Sequence, residues 1–368
     1  NLWQYLDQCL EGGDKTVEVP DPIHWCGIYH PRAKKVYTDL AEYQVDFCDA
    51  SKPTIGVLFY RDEWVWGDLT YQGALIDEIE CQGMNAICVF SNGMPIEEMG
   101  MPSLTKVFDW YFSKDGVPAI DALINIMKFS LSSSGNISID YFKKWNVPIL
   151  AGYTIMTDYD EWKESFEGMN PMEVSIAISL PEFDGTIHGV PVAYKKVLEN
   201  GDVNYLPIPE RVHRMVNKAR KWARLRRKTN SDKKIAIIFH NYPPRNSNIG
   251  SALGLDTIES IRRVLAAMQE RGYKVDRIPE DTKEFIAELT ANATNDKNLL
   301  TEKQIAEANK VTSAEYKKFY DTFEPKVQAQ LVKDWGEAPG TVMEYDGNLL
   351  VPGTMYGNVF VTVQPPRG

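Results

Sequence analysis

The chain has 368 residues, which sets an expectation of about two to three domains, and its 43% apolar and 25% charged residues are ordinary for a folded globular protein. A formal net charge of −11 argues against a general binder of nucleic acid or anionic membrane, because such partners are drawn in by positive surface. No run of about 18 uncharged apolar residues occurs, and the start, Asn1 to Cys9, lacks a basic flank followed by an apolar core; the expectation is a cytoplasmic chain with no transmembrane segment.

Residues 1–50, with Pro20, Pro22 and Pro31 in one stretch, read as a helical and irregular segment. The pattern sharpens at Thr54 to Tyr60, a short apolar, β-rich run. Leu69, Leu75, Ile76 and Ile79 then fall at near-helical spacing, and Ala86 to Phe90 is apolar again, which predicts a β-α-β unit. The alternation continues with a helix over Ser103 to Phe112, a strand near Ala122 to Ile126, a helix over Ile139 to Trp145 and a strand at Val147 to Leu150. Val174 to Leu180, alternating apolar and small residues, reads as one more strand, with Pro181 opening the loop that leaves it.

Between Arg211 and Lys228 there are nine Lys or Arg residues and no acidic one, while Val212, Met215, Val216, Ala219, Trp222 and Ala223 recur at helical spacing. This reads as a packed connecting helix with a solvated basic face, against the competing reading of a contact surface for an acidic partner or an anionic substrate. A second α/β unit opens at Lys234 to His240, followed by a loop, a helix starting at Asp256 and a strand at Tyr273 to Ile278. From Asp281 to Gly336 the chain reads as mostly helical, with Thr312-Ser313-Ala314-Glu315 as a capping signature. Thr341 to Tyr345, the Asp346-Gly347 turn, Leu349 to Val351 and Asn358 to Val363 then predict a hairpin and a final strand.

The expected fold class is therefore α/β, with two Rossmann-like or flavodoxin-like parallel-sheet units and a helical insertion in the second. The expected division is 1–50, a first α/β domain at 51–207, the basic helix at 208–230, and a second, incomplete α/β domain at 231–368 with the insertion at about 281–336.

Ligands of α/β folds sit at the carboxyl ends of strands, which directs attention to His240 to Leu255. His240 can act as base or ligand, Asn241 and Tyr242 add polar groups, and Arg245 can grip a carboxylate at two points. Gly250 and Gly254 let backbone N–H groups approach an anion at the following helix start. A P-loop reading fails because these glycines are not followed by Gly-Lys-Ser/Thr, so this chain is not expected to hydrolyse ATP. The first strand lacks the Gly-x-Gly-x-x-Gly fingerprint as well, its following loop reading Arg61-Asp62-Glu63-Trp64-Val65-Trp66-Gly67.

Glu182, Asp184 and His188 form a possible loop site, set against carboxylates that simply satisfy backbone donors. His24, Cys26 and His30 are close in sequence but lack a nameable fourth ligand, and no metal-binding set is assigned. The five cysteines, odd in number and without a Cys-x-x-Cys pair, read as reduced thiols.

The segment Ile235 to Arg245, with Ile249-Gly250 and Gly254-Leu255-Asp256, resembles the large subunit of aerobic cobaltochelatase and, less closely, the magnesium-chelatase H subunit. Gly27-Ile28-Tyr29-His30-Pro31, Pro181 to Gly185, Gly357 to Phe360 and Gln364 to Gly368 agree with it. The resemblance spans nearly the whole chain and implies an internal fragment of a tetrapyrrole-binding subunit, inactive by itself, whose site is completed beyond Gly368. It further implies insertion of a divalent metal, cobalt before magnesium, into a corrin or porphyrin ring, with ATP hydrolysed by separate AAA+ partner subunits. His240 is then the nominee for base or transient metal ligand, and Arg245 with the helix start near Asp256 would hold acidic substituents of the ring. Two other classes fit the same layout: a non-catalytic two-lobed ligand-binding module and a nucleotide-sugar glycosyltransferase.

Overall fold

The computed structural model describes residues 2–12, 23–134, 137–296 and 298–366 and divides into two compact units, Asn1–Arg227 and Lys228–Gly368. The α/β class expected from the sequence is what the chain adopts.

The first unit is built on a seven-stranded sheet. Its strands are β1 (Gly27–Tyr29), β2 (Thr54–Tyr60), β3 (Asn85–Ser91), β6 (Ala122–Asn125), β7 (Ile149–Ile155), β8 (Ile187–Val197) and β9 (Val203–Pro207); a two-stranded ribbon, β4 (Ser113–Lys114) and β5 (Val117–Pro118), lies outside it. The order is β1-β3-β2-β6-β7-β8-β9. β3, β2, β6, β7 and β8 run parallel, and β1 and β9 close the edges antiparallel. Taken in chain order, the five parallel strands lie second, first, third, fourth, fifth. The connections therefore reverse direction between β2 and β6, which makes the carboxyl ends of these strands the switch point of the sheet.

Strand alternation sends successive side chains of β2 to opposite faces. Ile55, Val57 and Phe59 pack with Tyr71, Leu75, Ile76 and Ile79 of helix Thr70–Cys81, and with Val212, Met215, Val216 and Ala219 of helix Pro209–Arg227. Leu58 turns the other way, onto Leu104, Phe108, Phe142 and Trp145. The basic helix is thus a packed layer of the first unit, whereas the sequence set it apart at 208–230. Its end is pinned where Arg227 grips Asp121 at two points of 2.9 Å, while Asp121 also accepts the amide of Thr54 at 2.9 Å. β1 likewise draws residues expected to lie outside, in 1–50, onto the sheet edge.

Three local expectations are corrected. Val174 to Leu180 forms no strand: Pro171–Val174 is α-helical, Ser175–Ser179 is a π-turn and Leu180–Glu182 continues the helix, so Pro181 lies within a helix. Asn170 caps this segment reciprocally with Glu173, and Pro171 sits in its first turn, so local capping overrides the period-two pattern. Arg61 to Trp66 is a helix following directly on β2, not a loop. Tyr273 to Ile278 forms no strand: the Val275 amide turns back to the Tyr273 carbonyl at 2.9 Å, and the Asn358 amide of the hairpin donates to the Lys274 carbonyl at 2.8 Å.

The second unit has β10 (Ile235–Phe239), β11 (Asn309–Thr312), β12 (Glu344–Tyr345), β13 (Asn348–Val351), β14 (Gly353–Tyr356) and β15 (Val359–Val363). β10 pairs parallel with β15, and β14 closes that sheet antiparallel; β11, β13 and β12 form a separate antiparallel sheet. Phe239, Leu265, Phe285, Leu289, Tyr356 and Val361 make the core. Within 281–336 the helices Thr282–Ala291, Glu302–Glu307, Ser313–Tyr320 and Pro325–Trp335 are separated by irregular chain at 292–296 and 298–301, by β11 and by a turn at 321–324, and Thr312 caps helix Ser313–Tyr320 reciprocally with Glu315 as its sequence predicts. Among the described residues no helix is long and apolar enough to cross a membrane.

Candidate functional site

In the second unit, β10 delivers His240 to an exposed position one residue past its carboxyl end. There Nδ1 meets Gln364 Oε1 at 3.1 Å, and Gln364 immediately follows β15. Tyr242 and Arg245 are also exposed, with Arg245 preceding the short 3-10 turn Asn246–Asn248. Asn241 is buried, and its Oδ1 has no partner among the described residues.

Gly250 serves packing: φ is +70°, a Cβ there would lie 3.1 Å from Phe239, and its N–H donates to the His240 carbonyl at 2.8 Å. That amide is therefore engaged within the loop and not open to an anion. Gly254, at φ +73°, faces open space. Asp256 caps helix Thr257–Glu270 by accepting the Glu259 amide at 3.0 Å.

Of the Glu182, Asp184 and His188 group, the two carboxylates part ways. Glu182 is exposed. Asp184 is buried and accepts from Ser130 Oγ at 3.0 Å, the Ser132 amide at 3.1 Å, the Leu131 amide and Ser132 Oγ. It is an anchor for backbone donors. His188 belongs to β8, and its side chain lies outside the described residues. His24, Cys26 and His30 likewise separate: His24 lies against Trp64, Cys26 meets Tyr111 at 3.7 Å, and buried His30 pairs with Glu80 at 3.1 Å. Among the described residues no group of three His, Cys, Asp or Glu is placed to hold a metal.

The densest chemistry sits at the switch point of the first sheet, on and around the segment Arg61 to Asp68 that follows β2. Helix Arg61–Trp66 carries Glu63 inward from the end of β2, and the Glu63 carboxylate accepts from Tyr71 Oη at 2.8 and 2.9 Å and from Gln72 Nε2 at 2.6 Å. Burial pushes the Glu63 carboxyl up to about 7, against the opposing hydrogen bond from Tyr71 and the charge of Lys128. Lys128, three residues past β6, is held at φ +69°, with its ammonium 5.2 Å from the Tyr205 ring centre. Burial lowers its pKa, opposed by Glu63 and Glu173.

Asp68 accepts the Tyr205 amide at 3.0 Å, and its pKa is raised by burial. These groups line a cleft of about 600 Å³ with Tyr60 and Trp66. A half-ionised carboxyl beside an ammonium can take up and release a proton near neutrality. No local motif announces it, because Glu63 and Lys128 are 65 positions apart and come to line one cleft only when β2 and β6 lie side by side.

The elevated Glu63 carboxyl makes a prediction. Its pKa rises from 4.5 to about 7 on folding, so the folded chain binds the extra proton between these values and stability falls as pH rises through that window. The expected loss is about 2–3 kcal/mol. Glu63→Gln should flatten it, read as urea midpoints measured below and above the window; a Glu63→Gln protein with the parent's slope would disprove the assignment.

A family model described as CobN/Magnesium Chelatase matches residues 1–368. An uncharacterized protein of Methanocaldococcus jannaschii is 40% identical over 384 residues, covering 100% of this chain and 31% of that protein. The aerobic cobaltochelatase subunit CobN of Pseudomonas aeruginosa is 27% identical, covering 100% of this chain and 30% of its own. The chloroplastic magnesium-chelatase subunit ChlH of Oryza sativa subsp. indica is 29% identical over 98% of this chain and 26% of its own. Among solved structures, the catalytic subunit of cobaltochelatase from Mycobacterium tuberculosis superposes with a TM-score of 0.73 at 25% identity, covering 100% of this chain and 29% of that one. The chain spans 26% to 31% of the length of these relatives.

Proposed function

Because this chain belongs to the CobN/magnesium chelatase family, we propose that it is the part of a chelatase subunit that contacts the tetrapyrrole during insertion of a divalent metal. The substrate metal in this reading is cobalt, with magnesium as the alternative, and ATP is hydrolysed by separate AAA+ subunits. Supporting it are the relatives' names and the resemblance of the His240 loop to the cobalt branch.

Metal insertion requires removal of two inner N–H protons and exchange of water around the ion for ring nitrogen, so a base and an anchor for the ring's acidic substituents are needed. The observation that carries the reading is the exposed display of His240, Tyr242 and Arg245 at the paired carboxyl ends of β10 and β15. In this role His240 is base or transient metal ligand, and Arg245 makes a two-point grip on a ring carboxylate. Asn241 holds the floor of the loop, and Gly250 and Gly254 shape its path.

Arg245→Ala is expected to weaken the affinity for a dicarboxylic tetrapyrrole about tenfold with the melting temperature unchanged, since the guanidinium is exposed and makes no ion pair among the described residues. Fluorescence titration checks this, and an unaltered affinity would reject the anchor.

A further inference from the structure

We propose that the groove at the carboxyl ends of β2, β6 and β7 binds a flat, apolar nitrogen heterocycle that donates N–H groups, and that Glu63 accepts a proton from it. The groove has two lobes sharing Lys128. One is the polar cleft holding Glu63 and Asp68; the other, about 310 Å³, is lined by Phe129, Thr154, Met156, Met172 and Ile176. Trp66, Phe129, Met156 and Met172 are all exposed along it, giving an apolar surface suited to a flat ring.

Both lobes hold a buried oxygen with no partner among the described residues: Asp68 Oδ1 in the first and Thr154 Oγ1 in the second, Thr154 being only 2% exposed. Oxygens left so are costly unless a donor arrives, and N–H groups of a ligand supply one. Two features of the backbone concentrate at the same place. Lys128 is a non-glycine residue in the left-handed region, and the π-turn Ser175–Ser179 forms the wall of the apolar lobe.

The proton-transfer half rests on the chelatase reading. One ring N–H bond breaks, the proton goes to a Glu63 carboxylate oxygen, and the electron pair stays on nitrogen to form its bond to the incoming divalent cation, which sheds a water in exchange. Tyr71 and Gln72 hold the carboxylate in place, and the open cleft returns the proton to solvent.

The test is titration of the chain with a free-base dicarboxylic porphyrin and with the palladium complex of the same ring, which has no N–H and takes no fifth ligand, from about pH 5.5 to about pH 8.5. The free base should bind about tenfold tighter above pH 7, a preference that fades as Glu63 protonates. Glu63→Gln should abolish both the preference and its pH dependence, and Thr154→Val should weaken the free base alone. Exposed Met172, changed to Ala, should weaken both rings about threefold without touching the fold. Equal affinity for the two rings, a preference surviving Glu63→Gln, or indifference to Met172→Ala would each overturn the proposal. If Arg245→Ala is silent while Glu63→Gln abolishes the preference, the His240 loop reading fails and the groove stands; the opposite pattern overturns the groove.

Discussion

Asp184→Ala is expected to destabilise the first unit by about 3–5 kcal/mol. The carboxylate is buried and is the acceptor for two hydroxyls, on Ser130 and Ser132, and two amides, on Leu131 and Ser132. Truncation takes the shared acceptor from the Leu131 and Ser132 amides and from both hydroxyls at once at a buried position, which is why the cost exceeds that of one ordinary hydrogen bond. The turn presenting Asp184 is itself tied down, by Asp184 and Gly185 amides donating to Pro181 and Glu182 at 3.0 Å, so the backbone cannot follow the lost side chain. Asn, keeping one acceptor oxygen, should cost roughly half as much. Ser130 follows Lys128 by two residues, so the loosened loop should also disorder the Lys128 side of the groove. Urea unfolding measures the first effect, and a loss under about 1 kcal/mol would refute the anchoring role.

Gly357→Ala should be comparably severe in the second unit, at about 3–5 kcal/mol. Gly357 begins the two-residue turn between β14 and β15 with φ +65°, a region that costs an L-residue about 1–2 kcal/mol. A Cβ there would also stand 2.4 Å from the Lys274 carbonyl oxygen and 3.2 Å from the Asp276 amide nitrogen, both backbone atoms that cannot rotate away. Asn tolerates the left-handed region but carries the same Cβ. Gly357→Asn should therefore recover little of the loss, and full recovery would show that conformation, not crowding, was the cause.

Where a segment's own residues decide its structure, reading it in isolation succeeds. The apolar β-rich run Thr54 to Tyr60 is buried on both faces, Ser103 and Ser138 cap the helices expected behind them, and Asp256 and Thr312 cap theirs. Reading failed where two local signals compete. Val174 to Leu180 has the alternation of a strand and the cap of a helix, and the cap prevailed because the segment lies off the sheet with only Ala177 buried. Arg61 to Trp66 lacks the glycines of a dinucleotide turn, yet Asp62 and Glu63 in its first turn favour the helix it forms.

Sequence alone therefore determined the α/β class, the principal strands and caps, and, through the motif at His240, the family; each is written in consecutive residues whose period and chemistry act over a few ångströms. The tertiary structure decided that Asp184 is a buried anchor, that the basic helix is a layer of the first unit, and that Lys128 lines both the cleft of Glu63 and the lobe of Thr154. Those outcomes depend on strand order. Pairing β2 with β6 joins residues 65 positions apart and sets how far each is desolvated, and burial, not residue type, brings the Glu63 carboxyl to about 7.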